Sequence, residues 1–473
     1  MTFEPIFVTF GLYLGLMLFI GWLGFRATRD FSDYILGGRH VGGVVSALSA
    51  GASDMSAWLL MGLPGAVWVS GLSAAWIAVG VTIGAWLNWR LVAAKLRAAS
   101  EQADNALTLP AYLAYRFADG RQALRILSAA VILFFFTLYC ASGVVAGARL
   151  FETLFGLDYA TACWASSLCT LAYVFLGGFF AVSWTDALQA ALMLAALLIV
   201  PLIAWSALPP GDLAGLAQAA DEARLNPFHD MTVLGVCSLL AWGLGYFGQP
   251  HILVRFMAMD GTASVPRASR INVTWMVLCL LGAVGVGLIG QRWSLAHAAA
   301  AASLDGNPET IFLVLARELF NPWLGGVLLA AILAAVMSTL SCQLLICSSA
   351  LTEDLYRRLW RRAAGQRELV WMGRAMVLLV TLCAIGLASD PDSRVLAMVS
   401  YAWAGFGAAF GPVILLSLWW PRMTSLGALG GILTGALTVV LWKHFSPWPL
   451  YEIVPGFVVS TLAVLGLSRI RPR

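Results

Sequence analysis

Apolar residues in this chain run in long blocks, without the strict alternation of a half-buried strand or the single apolar face of a surface helix. Such stretches lie near residues 5–25, 43–69, 72–94, 124–150, 160–182, 186–208, 231–256, 272–291, 322–350, 371–389, 395–419, 424–442 and 450–469. A helix needs about 20 mostly apolar residues to cross the hydrocarbon core of a bilayer, and most of these blocks have that length. Backbone inside lipid must satisfy its own hydrogen bonds, so the blocks are expected to be helices. The short alternating segments of a membrane barrel are not visible. The pattern predicts an all-α membrane protein with about 13 transmembrane helices.

Composition agrees. Hydrophobic residues make up 60% of the 473 and charged residues 11%, with a mean hydropathy of +0.85. A soluble chain carries about one quarter charged residues, so a water-dissolved domain is excluded. No basic cluster precedes the first block, which carries Glu4 ahead of it and is long enough to span; it is expected to be a retained helix and not a cleaved leader. The net charge of +4 gains meaning only when sorted by connection. About 22 of the 28 Lys and Arg fall in 26–42, 90–125, 255–271, 351–374, 420–423 and the C-terminal tail, which the positive-inside rule assigns to the cytoplasm. The N-terminus is then outside and the C-terminus inside. Orientation alone accounts for the basic loops, and no nucleic-acid partner is expected. The 8 Cys lie mostly within apolar blocks, show no metal-ligand spacing and are expected to be buried free thiols. Pro-Pro-Gly at 209–211 and Asp-Gly-Asn-Pro at 305–308 mark outer loops. The chain stops soon after the last block, so no regulatory tail is expected.

Two blocks break the apolar rule. The second reads Ser46-Ala-Leu-Ser-Ala-Gly-Ala-Ser-Asp54-Met-Ser56-Ala-Trp58 and then reaches Pro64; the seventh reads Ala241-Trp-Gly-Leu-Gly-Tyr-Phe-Gly-Gln-Pro250. Proline removes a helical hydrogen bond and glycine eases departure from helical geometry. Unwound backbone at membrane depth is tolerated only where it lines a cavity, and there free carbonyls can hold a cation and free amides a carboxylate. The two interruptions lie five blocks apart, the spacing of a five-plus-five inverted-repeat secondary transporter. The implied division is 1–42 for an extra N-terminal helix and its loop, 43–208 for the first repeat, 209–230 for an outer loop, 231–420 for the second repeat, and 421–473 for two further helices and a short tail. Asp54 is a carboxylate near mid-depth, functional by default at that place. Its oxygen-rich neighbours suit a hard cation such as sodium, with proton coupling left open. Ser338, Thr339 and Ser341 form a hydroxyl run in the ninth block, and Tyr139 lies in the equivalent helix of the first repeat. Trp58, Trp242 and Tyr246 flank the interruptions, where an apolar or cationic solute would gain from aromatic faces.

Several long runs carry a resemblance: LSAGASDMSAWLLMGLPGAVW (48–68), YCASGVVAGARLFE (139–152), GGFFAVSWTDALQA (177–190), WGLGYFGQPHILVRFMA (242–258), NPWLGGVLLAAILAAVMSTLSCQLLICSSALTEDLY (321–356) and YAWAGFGAAFGP (401–412). Almost end to end the chain resembles the sodium/solute symporter family, within it the bacterial branch that carries proline. The resemblance implies a leucine-transporter-like fold with one extra N-terminal helix, in a bacterial plasma membrane. It implies sodium as co-transported ion, L-proline as solute and no organic cofactor. It maps a sodium site onto Ala52, Met55, Ala335, Ser338 and Thr339, and proline binding onto Ser56, Trp58, Tyr139, Trp242, Tyr246 and Pro250. Asp54 maps onto a carboxylate needed for sodium-driven uptake. Asp186 and Arg39 match charged positions near the cytoplasmic side, with a gating or coupling role. Position 57 is Ala where Gly is expected, and the extra methyl could restrict the unwound segment or trim the pocket. Another small solute in the same sodium-driven class, a sensor and a channel are the other readings; no signalling domain and no catalytic motif is visible.

Overall fold

Helices account for almost the whole fold of the computed structural model, which describes residues 5–27, 31–39, 41–208, 223–297, 302, 304 and 306–470. Among these residues no strand occurs, and the one β-type contact is an isolated parallel bridge between Val41 and Met259. The helices used below are α1 (Pro5–Ala27), α2 (Gly43–Asp54), α3 (Leu63–Ser70), α4 (Trp76–Asn88), α5 (Ala123–Phe155), α6 (Tyr159–Ser206), α7 (Val233–Leu240), α8 (Pro250–Ala258), α9 (Val265–Ala296), α10 (Pro322–Ser349), α11 (Gln366–Leu387), α12 (Val395–Trp419), α13 (Ser425–Phe445) and α14 (Ile453–Ile470). The Pro209-Pro210-Gly211 turn, Asp305, Glu4 and the tail arginines Arg471 and Arg473 lie outside the described residues.

Ten helical stretches among the described residues are long and apolar enough to cross a membrane, against about 13 expected. Part of the difference has a local cause. α2 with α3, and α7 with α8, are each split by irregular turns, so neither half reaches spanning length alone. Trp58–Gln102 runs as one long stretch because turns of 3-10 type at Gly71–Ala75 and π type at Trp89–Ala93 join what the hydropathy separates. The third block also continues as helix to Gln102, beyond its apolar end at 94.

The sharpest boundary correction falls in α6. The polar run Ser183-Trp-Thr-Asp186 suggests a connection between 182 and 186, yet these residues are helical, and Ser183, Thr185 and Asp186 are buried. Their polarity faces the protein interior. The real turn is at Gly178, with φ 57° and ψ −158°. A side chain there would be strained by the backbone and would meet the Tyr34 ring at 2.6 Å.

α10 is the central column: all of its most apolar window is buried, against 22% for α1 at the periphery. α2 packs against α6, α9 and α10, and the irregular segment Ala241–Gly248 lies between α4 and α12. That segment has almost no room. A methyl on Gly84 would collide with the Gly243 carbonyl, so α4 and the 3-10 segment touch backbone to backbone. Helices in lipid gain their contact energy from such close packing. All eight cysteines are free thiols; Cys237 and Cys383 are exposed, contrary to uniform burial.

Gly84→Val is expected to lower the thermal unfolding midpoint in detergent by several degrees and to abolish transport, since overpacking a tight contact costs about 1–3 kcal/mol. Gly15→Val, where an added Cβ meets nothing within 4 Å, is the matched control and should change neither.

Candidate functional site

The break after α2 follows from a change of hydrogen-bond partners. Met55 leaves helical geometry (φ −80°, ψ 71°) while its N–H still donates to the Gly51 carbonyl at 2.8 Å. The next amide, Ser56 N–H, donates to the Asp54 carbonyl at 2.9 Å, so the Ala52 carbonyl loses its helical partner. Two hydroxyls replace it: Ser338 Oγ donates to Ala52 O at 2.8 Å and Thr339 Oγ1 reaches it at 3.5 Å. Ser338 Oγ also lies 3.0 Å from the Ala335 carbonyl. Ala52, Ala335, Ser338 and Thr339 therefore converge between α2 and α10, and Met55 is the residue at which the helix opens. The cluster consists of neutral oxygens, the donor set that suits a hard monovalent cation.

Ser56 and Trp58 restart the helix. Ser56 Oγ accepts from Trp58 N–H at 3.3 Å, and Trp58 Nε1–H donates back to the Asp54 carbonyl at 3.2 Å. A π turn follows over Trp58–Gly62; Pro64 has no N–H to return to Leu60. Ala57 lies in the ordinary right-handed region (φ −53°, ψ −22°), so its methyl introduces no backbone strain.

Asp54 is buried. Tyr246 Oη donates to its Oδ2, while Oδ1 has no hydrogen-bond partner. This bond ties the two interruptions together, because Tyr246 belongs to the 3-10 segment Ala241–Gly248. Pro250 opens α8, where a missing N–H costs nothing. Tyr139, from the middle of α5, is buried beside Ser56 and Asp54, its hydroxyl without a partner of good geometry.

Aromatic rings close the centre on one side. Trp58 lies 5.9 Å from Trp242, which stacks at 5.6 Å on Tyr451 and at 6.4 Å on Trp403. Tyr246 meets Trp403 edge-on at 5.1 Å. Trp403 Nε1–H donates to the Trp242 carbonyl at 2.7 Å, satisfying irregular backbone. Sequence reasoning missed Trp403 and Tyr451. The available signal was a lone indole at 403 in a stretch, 402–411, made mostly of Ala and Gly. Beyond Trp242 a cavity of about 710 Å³ opens to the membrane face opposite the arginine-rich connections, with Gly65, Ser238, Glu309, Arg394 and Tyr451 in its walls.

On the opposite side, Asp186 and Arg39 each hold their own set of partners. Asp186 Oδ2 accepts from Ser49 Oγ at 2.6 Å and from Arg255 Nη2 at 3.0 Å. Arg255 also donates to Ser49 Oγ at 2.9 Å and to the His251 carbonyl at 2.6 Å, and it touches Cys342 Sγ. This fully buried pair joins α2, α6, α8 and α10. Arg39, at φ 60°, instead donates to the carbonyls of Met257 at 2.7 Å and Ala106 at 2.9 Å. Two residues on, Met259 O accepts from Arg97 Nε at 2.6 Å. Arg255 was missed because it lies at the edge of an apolar block, where it reads as an interfacial charge.

Known proteins share this architecture. The profile of the sodium:solute symporter family matches residues 34–435. The chain is 56% identical over 466 residues to the sodium/proline symporter of Escherichia coli K12, covering 98% of this chain and 93% of that one. It is 49% identical over 455 residues to a high-affinity proline transporter of Bacillus subtilis, covering 96% and 95%. Among solved structures, a Na+-coupled sialic acid symporter in a substrate-bound outward-open state aligns with a TM-score of 0.86 at 16% identity, over 99% of both chains. A nucleobase-cation-symport-1 family transporter in a closed conformation aligns at 0.59 and 14% identity, over 93% of this chain and 95% of that one.

Arg255→Leu leaves the Asp186 carboxylate buried without its cation and is expected to cost roughly 3–5 kcal/mol. Adding Asp186→Asn should recover much of that loss, because the uncompensated charge is gone. A double-mutant cycle of unfolding in detergent checks this; additive losses would refute the pairing.

Proposed function

Because the chain belongs to the sodium:solute symporter family, we propose that it carries L-proline into a bacterial cell together with sodium ions by alternating access. The observation that carries the reading is the Ala52 carbonyl, freed by the break at Met55 and met by the Ser338 and Thr339 hydroxyls, in a chain so similar to proline transporters.

The mechanism needs no covalent step. A sodium ion among the oxygens of Ala52, Met55, Ala335, Ser338 and Thr339 links α2 to α10 and orders the opened turn. The solute then lies on the far side of the same turn, its ring against Trp58, Trp242 and Tyr246, with Ser56, Tyr139 and Pro250 around it. Ion and solute share one flexible segment, so each raises the other's affinity by the same factor. Asp54 stands between the two sites, bonded to Tyr246, and is the residue through which they are coupled. The cavity above Trp242 is the entry path, and the ties made by Arg255 and Arg39 close the exit until the ion and solute are bound. The arginine-rich connections face the cytoplasm, which puts the N-terminus outside and the C-terminus inside. Helices α2–α6 (43–208) and α7–α12 (231–420) form the two inverted halves, each opened by an interrupted helix. A membrane potential adds about 2.3 kcal/mol per sodium charge per 100 mV, which drives accumulation inward.

In proteoliposomes, labelled proline is expected to accumulate under an inward sodium gradient and not under a matched potassium gradient. Equal uptake in both would end the sodium reading, and failure of unlabelled proline to compete would end the proline reading. Ser338→Ala should raise the half-saturating sodium concentration by about tenfold, the loss expected for one ligand interaction, with proline affinity at saturating sodium little changed. Asp54→Asn should abolish sodium stimulation.

A further inference from the structure

Four buried polar groups around the two interruptions have an atom with no hydrogen bond of good geometry: Asp54 Oδ1, Tyr139 Oη, Gln249 Oε1 and both ring nitrogens of His251. Each is on a residue at most 2% exposed. An unsatisfied buried polar group costs about 1–3 kcal/mol, and native proteins retain few of them. Tyr139 links Asp54 to His251, and Gln249 is the N-cap residue of the helix that carries His251. Asp54 is bonded to Tyr246, three residues before Gln249. Tyr139 lies within electrostatic reach of Asp54, and its ring meets the His251 ring edge-on at 6.0 Å.

Two of the four are held in place. Gln249 Nε2–H donates to the Trp403 carbonyl at 3.1 Å, which identifies the other amide atom as the oxygen and leaves it facing away as a free acceptor. His251 is wedged against Phe136 at 5.6 Å and Tyr139, and its carbonyl is tied to Arg255. Neither side chain has a role in the account above.

We propose that Gln249 and His251 recognise the charged head of the solute and select a secondary amino acid. This rests on the transport reading given above and refines its binding site. The orphaned groups comprise two acceptors, Asp54 Oδ1 and Gln249 Oε1, and two donors, Tyr139 O–H and the imidazole N–H of His251. A secondary amino acid brings two ammonium N–H groups and a carboxylate. The two acceptors take the two N–H groups, and the two donors bind the carboxylate. A primary amino acid carries a third N–H that finds no acceptor, so the set discriminates by an unmet hydrogen bond.

The test uses the full chain in proteoliposomes. His251→Phe keeps the ring contacts and removes the N–H, whereas His251→Asn keeps a donor. His251→Phe is expected to raise the proline KM by about tenfold or more, the value of one hydrogen bond to a charged group, with kcat changed less. His251→Asn should recover most of the affinity. Pyrrolidine, which keeps the ring and the ammonium and has no carbonyl oxygen, should compete equally well against the unaltered protein and His251→Phe. An unchanged proline KM, or an equal loss for proline and pyrrolidine, overturns the assignment. Should His251→Phe fail to assemble, Gln249→Leu tests the ammonium end: a tenfold rise in proline KM is expected, and an unchanged value overturns the proposal. Absence of proline uptake by the unaltered chain would instead overturn the transport reading together with this one.

Discussion

A backbone carbonyl released from its helix inside hydrocarbon must find another partner, and the centre of this molecule is arranged around that requirement. When Ser56 N–H turns to Asp54, the Ala52 carbonyl is left over, and Ser338 and Thr339 answer it from α10. At the second interruption the Trp242 carbonyl is answered by the Trp403 indole. Each break therefore recruits a neighbouring helix, and the Tyr246–Asp54 bond joins the breaks to each other. An ion that competes for the Ala52 carbonyl acts directly on the contact between α2 and α10.

The two faces of the molecule use different physics. The side with few basic residues is open as far as the aromatic stack, where contacts are broad and apolar. The basic side is held by directed bonds: one fully buried ion pair, Asp186–Arg255, and guanidinium groups on backbone carbonyls. A buried ion pair is an uncertain source of net stability but a strict specifier of geometry. It holds together while the partners are aligned and loses its value when one element moves, which suits a closure that must open completely. The pair runs through α2 and α10 by way of Ser49 and Cys342, the same two helices that meet at the Ala52 carbonyl.

Much of this was legible in the residue order. The block pattern anticipates an all-helical membrane fold, the Gly, Pro and polar runs place both interruptions, and Asp54 stands out as a carboxylate at mid-depth. These features are local: hydropathy, a missing amide or an added charge needs no knowledge of what lies opposite. Where the reading went astray, the sequence signal was ambiguous between two environments. The polar run at 183–186 looks like a loop when Ser183, Thr185 and Asp186 face a buried interior, and the turn at Gly178 is not marked by a polar run. Arg255 looks interfacial when it is fully enclosed.

The amino-acid sequence by itself determined that the chain is helical and built to lie in a membrane, where two of its helices must break and which groups are left needing partners. Hydrophobic length and backbone chemistry impose those properties on each segment separately. Only the tertiary structure decided who meets whom. Ser338 and Ala52 are 286 positions apart, Trp403 and Trp242 161, and Arg255 and Asp186 69. Contacts over such separations depend on the packing of whole helices, with Gly84 against Gly243 setting how closely they approach. That packing brings the Ser338 and Thr339 hydroxyls to a freed carbonyl and gives Asp186 the Arg255 guanidinium as its partner.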